Sequence, residues 1–297
     1  MKTEAAYVPS EKISDCLLWG QSELSFLDER QALTECEEII GALLGVSRPE
    51  FYLTDRMGPF QFSQFSKLIE GRKRRIPLAY LLGRAYFWED SFRVKEGVLI
   101  PRPETEGLIE NFLKYGGFSR NDSFQFLDLG TGSGVIAITL AKCFPKASGV
   151  ATDFSEEALE VAEDNVEHLK VSRQIQFIQA DTLSAFAPAS FDVIFSNPPY
   201  ISREDLNSLE PEVQKEPLLA LDGGETGLNF YTRILNDLSC LKKEGSLWLE
   251  LGWGQKEPVE ALMKEAGFSC LQIFKDLNQI ERIISGSGRK GHGQTRH

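Results

Sequence analysis

From Phe124 onward the chain alternates short β-prone runs with helical patterns, and this alternation limits the fold more than any other feature. The runs are Phe124–Leu129, Ala147–Thr152, Ile175–Gln179, Phe191–Ser196 and Ser246–Leu251, with helical periodicity between them, as over Ser155–His168. Strands that recur with a helix between neighbours predict a mainly parallel sheet covered by helices on both faces. The last two runs, Ser269–Lys275 and Ile280–Ser285, lie too close together for a crossover, so they should pair antiparallel. Ligands of open α/β sheets bind at the carboxyl ends of the strands. The residues that follow each run are therefore where chemistry is expected.

The preceding sequence has a different character. From about Ser10 to Gly71, apolar positions such as Leu24, Phe26, Leu27, Leu33, Ile39, Ile40, Leu43 and Leu44 recur at helical spacing, punctuated by Pro49 and Pro59. That predicts a small bundle of short helices with no catalytic constellation of its own, suited to covering or partner binding. Between Ile76 and Pro103 two aromatic stretches, Tyr80–Trp88 and Phe92–Val94, flank Glu89-Asp90-Ser91 and read as a hairpin. Leu99 to Glu106 is stiffened by Pro101 and Pro103 ahead of a helix that begins near Thr105. The expected parts are a helical domain over 1–75, a hairpin link over 76–103, a catalytic domain over 104–285 and a disordered Gly-rich, basic tail over 286–297.

Composition narrows the function classes. A formal net charge of -12 argues against broad attraction to nucleic acid. The basic run Arg72-Lys73-Arg74-Arg75 reads as a solvated helix end. Cys16, Cys36, Cys143, Cys240 and Cys270 form no close pair, which fits a reducing compartment and predicts neither a zinc site nor a disulfide scaffold. The start, Met1-Lys2-Thr3-Glu4, leads into charged sequence, and no stretch approaches the roughly 20 apolar residues of a membrane helix. A cytoplasmic protein is expected.

Three strand ends carry acids. Asp128-Leu129-Gly130-Thr131-Gly132-Ser133-Gly134 follows the first strand and opens a helix at Val135. Small residues let the backbone approach a ligand, and the helix N-terminus offers free N–H groups. The loop lacks the lysine of a phosphate loop, and Asp128 would repel a pyrophosphate but attract an ammonium group. That suits the amino-acid end of S-adenosyl-L-methionine. Asp153, after the second strand, can accept both ribose hydroxyls, with Ser155 the better candidate for the helix cap. Asp181, after the third, can accept from the adenine amino group or cap the next helix. After the fourth strand comes Asn197-Pro198-Pro199-Tyr200. Its prolines end any pairing, and an amide oxygen, a proline carbonyl and an aromatic ring on a rigid turn suit capture of a planar NH2 group.

This order of glycine loop, strand-end acids and Asn-Pro-Pro-Tyr resembles a class I S-adenosylmethionine-dependent methyltransferase acting on a planar amino nitrogen, either adenine N6 or a glutamine amide. Ile76-Pro77-Leu78-Ala79-Tyr80-Leu81-Leu82-Gly83, Phe87-Trp88 and Ile100-Pro101-Arg102-Pro103-Glu104-Thr105-Glu106 resemble the release-factor glutamine methyltransferases, the HemK/PrmC family. Glu216-Pro217-Leu218-Leu219-Ala220-Leu221, Gly223-Gly224, Gly227-Leu228 and Glu250-Leu251-Gly252 resemble it as well. The resemblance runs from about Ile76 to Ser285, and the helical N-terminus matches by arrangement alone. It implies an α/β Rossmann-like sheet, mainly parallel with an antiparallel last strand, joined by a hairpin to a small N-terminal helical bundle. It implies S-adenosyl-L-methionine as donor, S-adenosyl-L-homocysteine as product and no metal. The implied partners are class 1 peptide-chain release factors, methylated on the glutamine of Gly-Gly-Gln, with no direct nucleic-acid or membrane partner.

Carried over to this chain, Asp128, Gly130, Thr131, Gly132, Ser133, Gly134, Asp153, Asp181, Thr182 and Asn197 would bind the cofactor. Asn197, Pro198, Pro199 and Tyr200 would bind the substrate, with Asn197, Pro198 and Tyr200 carrying the catalysis. Thr182 departs from relatives with an aromatic residue against adenine, which leaves Phe154 or Leu183 as the stacking partner. Ribosomal-protein glutamine methyltransferases share the turn but differ in the linker. An adenine-N6 enzyme would need a basic groove that this acidic chain does not suggest. His168, His292 and His297 receive no catalytic role, and Glu250 reads as a satisfied structural carboxylate rather than a pocket residue.

Overall fold

The computed structural model describes residues 11–46, 50, 53–181 and 183–289. They form two compact units. One takes in the chain up to Gly83 together with Pro211–Lys215, and the other takes in Arg84–Glu210 and the chain from Glu216 onward. Among the described residues, no helix is long and apolar enough to cross a membrane.

The first unit is built on α1 (Ile13–Glu23), α2 (Glu29–Leu44), α3 (Pro59–Lys73) and the short α4 (Leu78–Leu82). Local sequence sets their ends. Asp28 caps α2 by accepting from Gln31 N at 2.9 Å, and Gly45, with φ 68°, ends it in the left-handed conformation. Pro59 opens α3, where its missing N–H costs nothing. The apolar faces close over Ile13, Cys16, Leu24, Ile39, Ile40, Phe65 and Ile69. The run Arg72–Arg75 is only in part the solvated helix end its charge suggests: Lys73 and Arg74 are exposed, whereas Arg72 and Arg75 are paired. Arg72 is buried, with its guanidinium on Glu35 at 2.6 Å and on Glu212 at 3.3 Å, while Arg75 pairs with Glu212 at 2.6 Å. A charge taken out of water requires such partners.

In the second unit, β1 (Arg84–Phe87) and β2 (Asp90–Arg93) form the hairpin, paired antiparallel. The hairpin is shorter than expected, because Tyr80–Leu82 lies in α4 and the turn falls at Trp88 and Glu89. Trp88 takes φ 58°, and its N–H donates to Glu106 Oε1 at 2.7 Å, which fixes that unusual turn. Glu106 lies in α5 (Pro103–Tyr115), which starts at Pro103, two residues before the expected position, because proline suits the first helical turn.

Among the described residues the main sheet has seven strands, in the order β5-β4-β3-β6-β7-β9-β8. These are β3 (Gln125–Leu129), β4 (Ser148–Asp153), β5 (Ile175–Gln179), β6 (Phe191–Ser196), β7 (Leu241–Glu250), β8 (Cys270–Lys275) and β9 (Glu281–Ser287). β3 through β7 pair parallel, and β9 pairs antiparallel with both β7 and β8. β7 begins five residues earlier than expected, at Leu241 opposite Phe191, with a register shift before Ser246. β9 continues to Ser287 opposite Cys270, so residues 286–287 belong to the sheet rather than to a disordered tail. Gly288 O accepts from Ser269 Oγ at 2.7 Å and Arg289 donates to Leu238 O at 2.8 Å, and residues 290–297 lie outside the described residues.

Helices cover the sheet: α6 (Val135–Cys143), α7 (Glu156–His168), α8 (Asn229–Asn236) and α9 (Lys256–Glu265). On one side Phe112 of α5 packs edge-on against Phe195 and Trp248, at centroid distances of 4.8 and 5.5 Å. That contact clamps the helix over β6 and β7, two of the strands whose ends carry the site. A second apolar cluster on Tyr231, Ile234, Val259 and Met263 includes Leu127, Ile194 and Leu249 of the same sheet.

Candidate active site

The glycine loop leads from β3 into α6. Gly130, Gly132 and Gly134 have φ of 74°, 56° and 86°, a conformation that any side chain would strain. A Cβ on Gly134 would also press on Ile138 and Ala162. The loop is braced from its surroundings. Ser133 O accepts from Asn165 Nδ2 at 2.9 Å, and Gly132 N donates to Asp153 Oδ2 at 2.9 Å. Thr131 and Ser133 are both buried.

Asp128 is fully buried beneath this loop. Its Oδ2 accepts from Thr131 Oγ1 at 2.6 Å and from Ala137 N at 3.1 Å, while its Oδ1 has no hydrogen-bond partner. Burial pushes the carboxyl up to about 7, against those two hydrogen bonds. A buried carboxylate oxygen without a donor is costly, and an ammonium group delivered there would relieve it. The amino-acid end of S-adenosyl-L-methionine fits this requirement.

Asp153 ends β4. Its Oδ1 accepts from Ser155 N at 2.9 Å, and the other oxygen holds Gly132. Burial raises this carboxyl while the backbone N–H groups oppose the rise. Ser155 caps α7, accepting from Ala158 N at 3.2 Å, so cap and strand-end acid are separate residues. Each Asp153 oxygen retains acceptor capacity, enough for a pair of ribose hydroxyls. Asp181 is less free than its position after β5 suggests. Arg233 of α8 binds its Oδ2 at 2.8 Å and its backbone carbonyl at 3.1 Å. Thr182 lies outside the described residues. Of the two candidate stacking residues, Phe154 is 60% exposed and Leu183 only 2%, so Phe154 alone has a free face.

Asn197-Pro198-Pro199-Tyr200 leaves the carboxyl end of β6, beside the glycine loop because β6 pairs with β3. Ser196 Oγ donates to Leu129 O at 2.7 Å and ties the two strand ends together. Asn197 is half-buried and its Nδ2 donates to Thr105 Oγ1 at 3.0 Å. Pro198 is buried, and Pro199 and Tyr200 are half-buried. Tyr200 O accepts from Gln255 Nε2 at 2.8 Å, and the Tyr200 hydroxyl lies 3.5 Å from Glu250 Oε1. Burial and the Glu250 charge raise the phenol above its ordinary range, so it stays protonated. Gly223 packs directly on the Tyr200 backbone, where a Cβ would collide.

Glu250 is buried at the end of β7, and its Oε2 accepts from Thr105 Oγ1 at 2.6 Å. Burial pushes this carboxyl up to about 7, opposed by the Thr105 hydrogen bond. It is a partnered carboxylate, as its position suggested, yet it is linked to Asn197 through a single hydroxyl. Sequence reasoning passed over Thr105, Asn165 and Gln255. Thr105 and Asn165 share one signal, a polar residue at a helical position that faces the core, and Gln255 is the N-cap residue just before α9. His168 sits in the last turn of α7, while His292 and His297 lie outside the described residues. Among the described residues, no group of three or more His, Cys, Asp or Glu side chains is placed to hold a metal ion.

A parallel sheet with a glycine loop after β3 and Asn-Pro-Pro-Tyr after β6 defines a methyltransferase of Rossmann-like fold. The hMettl16 catalytic domain in complex with a MAT2A 3'UTR hairpin superposes with TM-score 0.53 at 16% identity, covering 77% of this chain and 81% of that one. A methyltransferase from Pyrococcus furiosus gives TM-score 0.50 at 20% identity, covering 67% and 89%. At such identities the likeness is one of fold. The family model of the methyltransferase small domain matches residues 105–213, and that of the PrmC N-terminal domain matches residues 15–83. The release factor glutamine methyltransferase of Caulobacter vibrioides is 38% identical over 247 residues, 82% of this chain and 84% of the relative. That of Bacillus subtilis is 35% identical over 279 residues, 92% and 96% of the two chains. The Chlorobaculum tepidum enzyme is 36% identical over 293 residues, 94% and 99%. The chain belongs to the release factor glutamine methyltransferase family.

Proposed function

We propose that this chain transfers a methyl group from S-adenosyl-L-methionine to the side-chain amide nitrogen of the glutamine in the Gly-Gly-Gln motif of peptide-chain release factors, in the cytoplasm. The observation that carries this reading is the state of Asn197. Its NH2 is already engaged by Thr105, so its Oδ1 is the end left to receive a substrate N–H.

Asp128 would hold the cofactor's ammonium group, the backbone of Gly130–Gly134 with Thr131 and Ser133 its amino-acid portion, and Asp153 its ribose hydroxyls. Asp181 and Phe154 would meet the adenine. When bound, the cofactor supplies an electrophilic methyl on a sulfonium. A carboxamide nitrogen is a weak nucleophile, so the protein's contribution is orientation. Asn197 Oδ1 and the Pro198 carbonyl accept the two N–H bonds at roughly 2.9 Å. They aim the nitrogen at the methyl and stabilise positive charge as it develops. Tyr200 covers the amide plane and excludes water. The proton leaves to water after transfer, so the mechanism needs no general base.

The helical unit is the proposed partner-binding part. Phe60 is 72% exposed on α3, and a concavity of about 670 Å³ is lined by Phe62, Ser66 and Lys67 of the same helix and by Arg74 at its C-terminal cap. The test is incubation with the cofactor and a purified release factor, and separately with DNA and RNA. Mass spectrometry should find one methyl on the Gly-Gly-Gln glutamine. Methylated adenine with unmodified protein would refute the assignment.

A further inference from the structure

Asn197 can turn either end of its amide toward a substrate, and only one end is useful. The oxygen accepts a substrate N–H, whereas the NH2 group would oppose it with a second donor. Three side chains settle which end points where. The Glu250 carboxylate only accepts, and the Thr105 hydroxyl donates to it at 2.6 Å. A hydroxyl has one proton. With that proton committed, Thr105 Oγ1 is left as an acceptor, and Asn197 Nδ2 donates to it at 3.0 Å.

We propose that Glu250 and Thr105 are positioning residues for methyl transfer: the one-way chain from Asn197 NH2 through the Thr105 hydroxyl to the Glu250 carboxylate turns Asn197 Oδ1 toward the substrate amide. This rests on the reading of Asn197 as the substrate's acceptor. Neither residue touches the substrate. Packing and hydrogen bonding hold the elements that place them. Thr105 sits in the first turn of α5, which Phe112 clamps to the sheet, and Glu250 ends β7, where Tyr231 donates to its backbone carbonyl at 2.9 Å.

The device is polarity rather than shape, so it depends on Glu250 being ionised. A protonated Glu250 would donate to Thr105, release the hydroxyl proton toward Asn197 and allow the amide to turn over. Burial pushes the Glu250 carboxyl up to about 7, which puts the change near neutrality. The groups facing it are Thr105 and Glu104 from α5, Tyr200 from the turn, Arg282 from β9 and the Tyr231 hydroxyl from α8. Glu104 disfavours the charge, while Arg282, Thr105 and Tyr200 favour it.

Steady-state methylation of a purified release factor by the full chain tests this. Thr105→Val keeps the shape and removes the relay. It should lower kcat about tenfold, the equivalent of one net hydrogen bond to a charged chain, with KM and cofactor Kd within about twofold of wild type. Thr105→Ser should restore kcat. Wild-type kcat should rise with pH through about 7, and Glu250→Gln, which can donate or accept, should flatten that profile. A purely structural network predicts losses that follow the folded fraction, with the pH profile unmoved. Wild-type-like kcat in folded Thr105→Val, or an unchanged pH profile in Glu250→Gln, would overturn the inference while leaving the methylation reading intact. Absence of glutamine methylation by the wild-type chain would overturn both.

Discussion

Replacing Glu250 by glutamine should change how stability depends on pH, by an amount that follows from its burial. The carboxyl has no exposure to speak of, and its pKa in the folded chain rises from the ordinary 4.5 to about 7. An acid raised in the folded state contributes stability fully below its unfolded pKa and loses it as pH rises through the folded value. The whole effect is about 3.5 kcal/mol, at about 1.4 kcal/mol for each pH unit. Ionisation of the unfolded chain is already under way at about pH 5, so about 2.5 kcal/mol of it falls between about pH 5 and about pH 8. Glutamine keeps the size, can accept from Thr105 and carries no charge. Urea unfolding of both proteins without cofactor, at those two pH values, gives the comparison. Wild type should lose about 2.5 kcal/mol more than Glu250→Gln. Asp128, also raised to about 7, titrates identically in both chains and cancels in the difference. Parallel stability curves, within about 0.5 kcal/mol, would refute the claim that Glu250 is held out of water as an ionisable group.

Asn197→Ala should cost about 3 kcal/mol of transition-state stabilisation, read as kcat/KM in the release-factor assay, with little change in cofactor affinity by calorimetry. Asp153→Ala should weaken cofactor binding, because it removes the proposed ribose acceptor and frees Gly132 of the glycine loop; an unchanged Kd would remove that role. Arg72→Ala leaves Glu35 without its buried partner, while Glu212 keeps Arg75. Unfolding of the helical unit, followed by urea denaturation, should come about 3–5 kcal/mol more easily.

Much of this architecture is legible locally. β6 lies inside the sheet, buried at five of its six positions, and so reads as a nearly continuous apolar run, while the edge strand β5 is flanked and interrupted by glutamines; both match their expected limits. Strand ends are less legible where pairing rather than apolarity continues the strand. Lys242, Lys243 and Glu244 interrupt the apolar run, yet β7 includes them. Tyr80–Leu82 reads as strand because a short apolar run has no period of its own, and only the structure shows one turn of helix. The basic run at Arg72 looks solvated because its partner Glu212 lies 140 residues away in the chain.

The site divides in the same way. The glycine loop, Asp128, Asp153 and Asn-Pro-Pro-Tyr are visible in the sequence because backbone geometry and strand position demand particular residue types at fixed places. Asp181's engagement by Arg233 and Asn197's tether to Thr105 are tertiary facts, since each joins residues on different elements. By itself the sequence determined the fold class, the family resemblance and which turn presents an amide oxygen. Only the tertiary structure decided which way that amide faces. A hydrogen-bond direction depends on the partner's donor inventory, and here the partner, Thr105, takes its direction from a carboxylate 145 residues further along the chain.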